Sequence, residues 1–189
     1  MNIRLAHPED AEALLAIYGQ YIDTSITFEY ELPSRAEFEG RIREFSRDYP
    51  YLVCEDGGKI VGYGYAHRAM ERAAYQWNAE LSVYLDRDSR AKGLGKKLCL
   101  LLMELLRLQG IRTVYSVVTS PNPRSERLQQ ALGFDVAGVF RSSGYKDGAW
   151  HDVIWFEKAI APYDQSPAPP RSFRDIPAEQ TEAIIQKYL

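Results

Sequence analysis

The stretch RAKGLGKK at residues 90–97 sets Gly93 and Gly95 among Arg90, Lys92, Lys96 and Lys97, directly ahead of a leucine-rich run. Glycine lets a ligand approach the backbone without meeting a Cβ, and the free N–H groups at a helix start favour an anion. Each such charge–dipole contact is worth about 0.3–1 kcal/mol, and the lysines add a local positive field. Two phosphate motifs are excluded. A Walker-type loop needs glycine where Arg90 stands and Ser or Thr where Lys97 stands. A dinucleotide fingerprint needs a third glycine at the place of Leu98. On these residues alone, an anion-binding turn and a plain strand–helix turn with solvated lysines both stay open.

Glu80 is the second chemical feature. In WNAELSVYL, Asn78, Glu80, Ser82 and Tyr84 alternate with the apolar Ala79, Leu81, Val83 and Leu85. One strand face then meets the core and Glu80 lies on the other. It is a candidate base one strand upstream of the turn, with a solvated edge or an ion pair as the alternative. Asn122, before Pro123, suits a helix N-cap. The histidines at 7, 67 and 151 lack metal-ligand spacing, there is no C-x-x-C, and no metal is expected. No G-x-S-x-G nucleophile elbow occurs.

The elements that must position these residues read as an α/β arrangement around a mixed sheet. NIRLA (2–6) is a short strand. Pro8 opens a helix carrying Leu14, Leu15, Ile17, Tyr18, Tyr21 and Ile22, and Ser34 caps a helix over 35–47. Residues 51–55 and 60–67 form a hairpin through DGGK, and a strand over 77–85 leads into the glycine turn. The next helix presents Leu94, Leu98, Leu101, Leu102, Leu105 and Leu106 and ends at Gly110. A strand at 113–118 and a helix over 123–132 follow. Strands at 134–140 and 149–158 flank a turn at 144–148. The domain spans 1–161. Beyond it, Pro162, Pro167, Pro169, Pro170 and Pro177 mark an extended linker, and 178–189 suits a short terminal helix.

The chain has 189 residues, 46% hydrophobic and 26% charged, with net charge −3. That suits one core and gives no global basic field for nucleic acid. No apolar run reaches the roughly 18–20 residues of a membrane span, and the N-terminus has no secretory hydrophobic region. Cys54 and Cys99 sit in apolar runs, as buried free thiols of a cytoplasmic protein would.

Taken together, TSITFEYE (24–31), YPYLVCE (49–55), RAAYQWNAE (72–80), SVYLDRDSRAKGLG (82–95), PNPRSERLQQALGF (121–134) and GYKDGAWHDV (144–153) resemble the GNAT N-acetyltransferases. The likeness is greatest to the phosphinothricin (methionine sulfoximine/sulfone) acetyltransferase branch and covers about residues 2–160. It implies a mixed, mostly antiparallel sheet with splayed central strands, and acetyl-CoA as co-substrate. The implied acceptor is a small amino-acid-like amine, the implied role detoxification or resistance, and the implied assembly a homodimer. It also implies that Val83, Tyr84 and Leu85 pair with the pantetheine, and that Arg90, Ala91, Lys92, Gly93, Leu94, Gly95 and Lys96 cradle the pyrophosphate. Asn122 would contact the pantetheine arm, and Glu80 would be the general base. Phe28, Arg72 and Tyr75, with Lys146 and His151 behind them, would form the acceptor pocket, Arg72 suiting a carboxylate or phosphinate. Many members carry a tyrosine acid seven residues after the asparagine. Here Gln129 stands there, and no acid is assigned. The alternatives are acetylation of another amine, such as a peptide N-terminus, and a non-catalytic acyl-CoA sensor.

Overall fold

The computed structural model describes residues 1–89 and 93–189. In chain order its strands are β1 (Asn2–Leu5), β2 (Tyr51–Asp56), β3 (Lys59–Arg68), β4 (Asn78–Leu85), β5 (Thr113–Ser120), β6 (Asp135–Lys146) and β7 (Ala149–Ala159). The helices are α1 (Ala11–Tyr18), α2 (Arg35–Asp48), α3 (Leu94–Gln109), α4 (Pro123–Ala131) and α5 (Ala178–Gln186). The strands make one sheet, β1-β2-β3-β4-β5-β7-β6. Every neighbouring pair is antiparallel except β4 and β5, which the α3 crossover joins in parallel.

Helix ends follow local chemistry. Ser34 and Glu37 form a reciprocal capping box at the start of α2, the Ser34 N–H donating to Glu37 Oε2 at 2.7 Å. α3 starts after Gly93, at φ 72°, and ends at Gly110, at φ 103°. Its predicted leucine stripe is buried, with Leu98, Leu101, Leu102, Leu105 and Leu106 fully enclosed beneath the sheet. On the opposite face, α1 and α2 pack over Tyr51, Val53 and Tyr63.

The sheet opens at its centre. β4 and β5 pair only from Asn78↔Thr113 to Glu80↔Tyr115. Past that point β4 keeps β3 and β5 keeps β7, and the two strands diverge. This is the splay that the resemblance implies.

Two expectations change. The strand placed at 134–140 continues to Lys146, and the turn placed at 144–148 shrinks to Asp147 and Gly148. Those two residues lie at φ 53° and 77°, the positive-φ pair that a two-residue hairpin turn requires. An irregularity between Phe140 and Gly144 takes up the extra residues and interrupts the alternation that marks a strand.

The proline-rich tail runs over the back of α2 and α3. Phe173, Ile176 and Ile185 are buried in the main core. Trp77 Nε1 donates to the Ala168 carbonyl at 3.0 Å, and Gln109 Nε2 donates to the carbonyls of Asp48 and Arg171. The core thus includes side chains from beyond residue 161.

Candidate functional site

The diverging edges of β4 and β5 wall a cleft of about 320 Å³, closed at one end by the start of α3 and flanked by α4. Leu81, Ser82, Val83, Tyr84 and Leu85 form one wall, and Ser116, Val117, Val118 and Thr119 the other. Each strand has lost a neighbour here, so backbone groups on both walls face the gap and can pair with an extended polar ligand. Tyr21 donates its hydroxyl to the Leu85 carbonyl at 2.5 Å and fixes the end of β4. The Tyr84 ring stacks on Tyr63 at 5.3 Å.

Gly93, Leu94, Gly95 and Lys96 line the α3 end of the cleft. The first helical hydrogen bond of α3 runs from the Lys97 N–H to the Gly93 carbonyl. The N–H groups of the residues between them therefore have no partner within the helix and suit an anion. Arg90, Ala91 and Lys92 lie outside the described residues. Asn122 lines the cleft and also caps α4, its Oδ1 accepting the Ser125 N–H at 3.2 Å. The N-cap expected from the sequence is present, and the same residue faces the cleft.

Gln129, one of the cleft's lining residues, is only 5% exposed. Its Oε1 is buried without a hydrogen-bond partner among the described residues. An orphaned acceptor of this kind costs roughly 1–3 kcal/mol unless something donates to it. An amide-bearing ligand threaded between the strands would supply that donor. A cleft with edge backbone along its walls, free helix N–H groups at one end and an unmet acceptor inside fits a pantetheine arm joined to a pyrophosphate.

Glu80 is the last β4 residue to pair with β5, so it stands where the splay begins, next to the first cleft-lining residue, Leu81. Glu80 itself is not part of the cleft lining. Its side chain is 20% exposed, and burial raises its pKa above the ordinary 4.5, with the charge of His67 pulling the other way. His67, on β3 directly opposite, places Nε2 3.7 Å from Glu80 Oε1. Sequence inspection gave His67 no role. Only the β3–β4 register brings it to Glu80, and no local spacing announces that.

The acceptor-pocket candidates separate into two groups. Phe28, Lys146 and His151 come together. The Phe28 ring lies so close over Gly144 that a Cβ there would come within 2.3 Å of it, and it stands 6.2 Å from the His151 ring. Lys146 is corrected. Its ammonium is buried, 2% exposed, and donates to the carbonyls of Ile22, Thr24 and Thr27 at 2.6, 2.8 and 2.7 Å. All three protons are used, so Lys146 pins the loop that carries Phe28 and offers no proton to an acceptor. His151 Nε2 lies 3.1 Å from the Lys146 carbonyl. Arg72 and Tyr75, by contrast, are exposed on the short 3-10 turn that precedes β4. Arg72 makes no ion pair among the described residues, and its guanidinium is open to an anionic ligand.

Comparison with known proteins identifies the family and the fold. Residues 3–155 match the acetyltransferase (GNAT) domain family. A phosphinothricin N-acetyltransferase of Streptomyces viridochromogenes is 35% identical over 93% of this chain and 94% of its own. An L-methionine sulfoximine/L-methionine sulfone acetyltransferase of Pseudomonas aeruginosa is 31% identical over 88% of this chain and 98% of its own. The crystal structure of a GNAT phosphinothricin acetyltransferase from Sinorhizobium meliloti, in complex with acetyl-CoA, superposes with a TM-score of 0.83 at 30% identity. It covers 92% of this chain and 98% of that one.

Proposed function

The chain belongs to the GNAT acetyltransferases, and from that premise we propose that it moves the acetyl group of acetyl-CoA to the amino group of a small amino-acid-like substrate. Phosphinothricin, methionine sulfoximine and methionine sulfone are the acceptors that its relatives suggest. The observation that carries the reading is the position of Glu80 at the vertex of the β4–β5 splay.

Acetyl-CoA enters the cleft with its pyrophosphate at the start of α3 and its pantetheine between the strands, where Gln129 and Asn122 meet it. The thioester then lies near the vertex. An amine of the lysine type has a pKa near 10.4, so only about one molecule in 10³ is neutral at pH 7. Stripping that proton costs roughly 4–5 kcal/mol, and Glu80 takes it, directly or through a water. A carboxyl with a raised pKa suits this work better than an ordinary one, because its proton affinity is closer to the amine's. The freed nitrogen attacks the thioester carbonyl, and a strand N–H facing the gap steadies the oxyanion. As the C–S bond breaks, the nitrogen's second proton passes to the departing thiolate, leaving the amide and a thiol. Binding both substrates at one vertex supplies much of the remaining acceleration.

Direct attack is favoured over an acyl-enzyme. Cys99 lines the cleft, but burial pushes its thiol pKa up to about 12. A thiol held that high stays protonated near neutral pH and is a poor nucleophile. The acceptor's acid group is assigned to Arg72, with Tyr75 beside it on the turn before β4 and Phe28 reaching the acceptor from the separate loop that Lys146 holds.

A homodimer is part of the same reading. β6 is a sheet edge on which Val136, Val139 and Phe140 are exposed. A long apolar edge invites cover by a second copy. A monomeric mass by sedimentation at micromolar protein would overturn that part. No described helix is long and apolar enough to cross a membrane, and both cysteines are buried and unpaired. We assign the protein to the cytoplasm on the second observation.

The test is a panel of amino-acid-like amines assayed for acetyl-CoA consumption. Turnover is expected with methionine sulfone or phosphinothricin. No turnover with any small amine, alongside intact acetyl-CoA binding, would favour a sensor.

A further inference from the structure

Acetylation of an ammonium substrate by a thioester yields an amide, a thiol and one proton. One proton per turnover must therefore reach solvent. If Glu80 is the base, as proposed above, its carboxyl holds that proton when the amide has formed, and must lose it before the next cycle.

The surroundings of Glu80 offer one route. Tyr115 stands beside it on β5 and His67 opposite it on β3. The Tyr115 hydroxyl has its pKa raised by burial and then by the charge of Glu157, so it remains a neutral phenol. Tyr65, next along the same face of β3, is pushed up to about 12 by burial and does the same. Arg41 of α2 is tied to Glu29 at 2.6 Å, and Arg68 is the residue after His67. Among the described residues facing the carboxylate, His67 alone presents a basic ring nitrogen close to it.

The His67 ring is held for that purpose. Its Nδ1 lies 3.0 Å from the Arg68 carbonyl. A carbonyl can only accept, so Nδ1 carries the hydrogen and the neutral ring turns its Nε2 lone pair toward Glu80. Phe45 stacks on the ring at 5.3 Å and Tyr65 lies at 6.0 Å, which limits its tilt. The Nε2–Oε1 separation of 3.7 Å is one small rotamer adjustment, or one bridging water, from proton-transfer distance. The side chain is 26% exposed, so the ring also reaches solvent.

We propose that His67 is a positioning residue that takes the proton from Glu80 after each transfer and hands it to water. The Glu80 O–H bond breaks as the Nε2–H bond forms, giving a carboxylate and an imidazolium. The imidazolium then loses the Nε2 proton to water or buffer and returns to its starting tautomer.

The test compares wild type with His67→Gln and His67→Ala, using methionine sulfone and acetyl-CoA. His67→Gln should lower kcat by roughly tenfold or more, leave the KM for acetyl-CoA unchanged, and move the acidic limb of kcat/KM to higher pH. His67→Ala should recover kcat as free imidazole is added. Wild-type kcat and pH profile in His67→Gln would overturn the proposal. So would a kcat loss that neither imidazole nor pH alters, since that is the mark of lost packing alone. Glu80→Gln keeps the two readings apart. If it is inactive while His67→Gln behaves as wild type, only the relay fails; if it is fully active, the base assignment fails first.

Discussion

Glu80 Oε1 and His67 Nε2 face each other at 3.7 Å across neighbouring strands, at the point where the sheet begins to open. Burial lifts the carboxyl's pKa above 4.5, and a protonated His67 draws it part of the way back. A base works only when ionised. kcat/KM should therefore fall as pH drops through this raised value, with an acidic limb above pH 4.5. Two acceptors of different amine pKa, assayed across the acidic range, separate this limb from ionisation of the substrate. A limb at or below the ordinary carboxylate value would contradict the assignment.

Gln129 has a nearly enclosed amide whose oxygen has no partner among the described residues. Replacing it by a residue of similar size with no polar group to satisfy should separate stability from binding. Gln129→Met should raise the stability of the free protein by about 1 kcal/mol, the cost of the orphaned acceptor being removed. It should weaken acetyl-CoA binding by roughly threefold to tenfold, since a ligand hydrogen bond is lost. Thermal melts and calorimetric titration read the two effects independently. A variant that is less stable yet binds equally well would place the amide outside the ligand's reach.

Lys146 ties three carbonyls of one loop with one ammonium. Lys146→Met keeps the stem and removes the donors, leaving those acceptors unmet. Stability should drop by about 3 kcal/mol, seen as a lower denaturant midpoint with an unchanged slope. The loop carries Phe28, so the KM for the acceptor should rise while that for acetyl-CoA stays. An unaffected acceptor KM would remove Phe28 from the pocket.

How far the sequence could be read depended on what each residue's signal was made of. β4, α3 and β5 were legible because WNAELSVYL alternates strictly and the leucines of α3 recur on one face, and both patterns follow directly from burial. The length of β6 was not. Its alternation breaks at the irregularity near Ser142, and the turn pair Asp147–Gly148 lies beyond it. Lys146 stands beside that turn and is expected behind the acceptor pocket, yet a loop more than a hundred residues earlier folds over it. His67 opposes Glu80 through strand register, a long-range property that no local spacing encodes. Phe173 and Ile185 lie in and just after a proline-rich stretch whose composition resembles a free linker, and only the exposed back of α3 decides that they pack.

The most direct test is one assay on two proteins. Wild type and Glu80→Gln are given acetyl-CoA and methionine sulfone, and free thiol is followed at neutral pH beside calorimetric binding of acetyl-CoA. Glu80→Gln should bind acetyl-CoA as wild type does and turn over at least ~10²-fold more slowly. Equal turnover in the two proteins would contradict a reaction that begins with proton removal by Glu80.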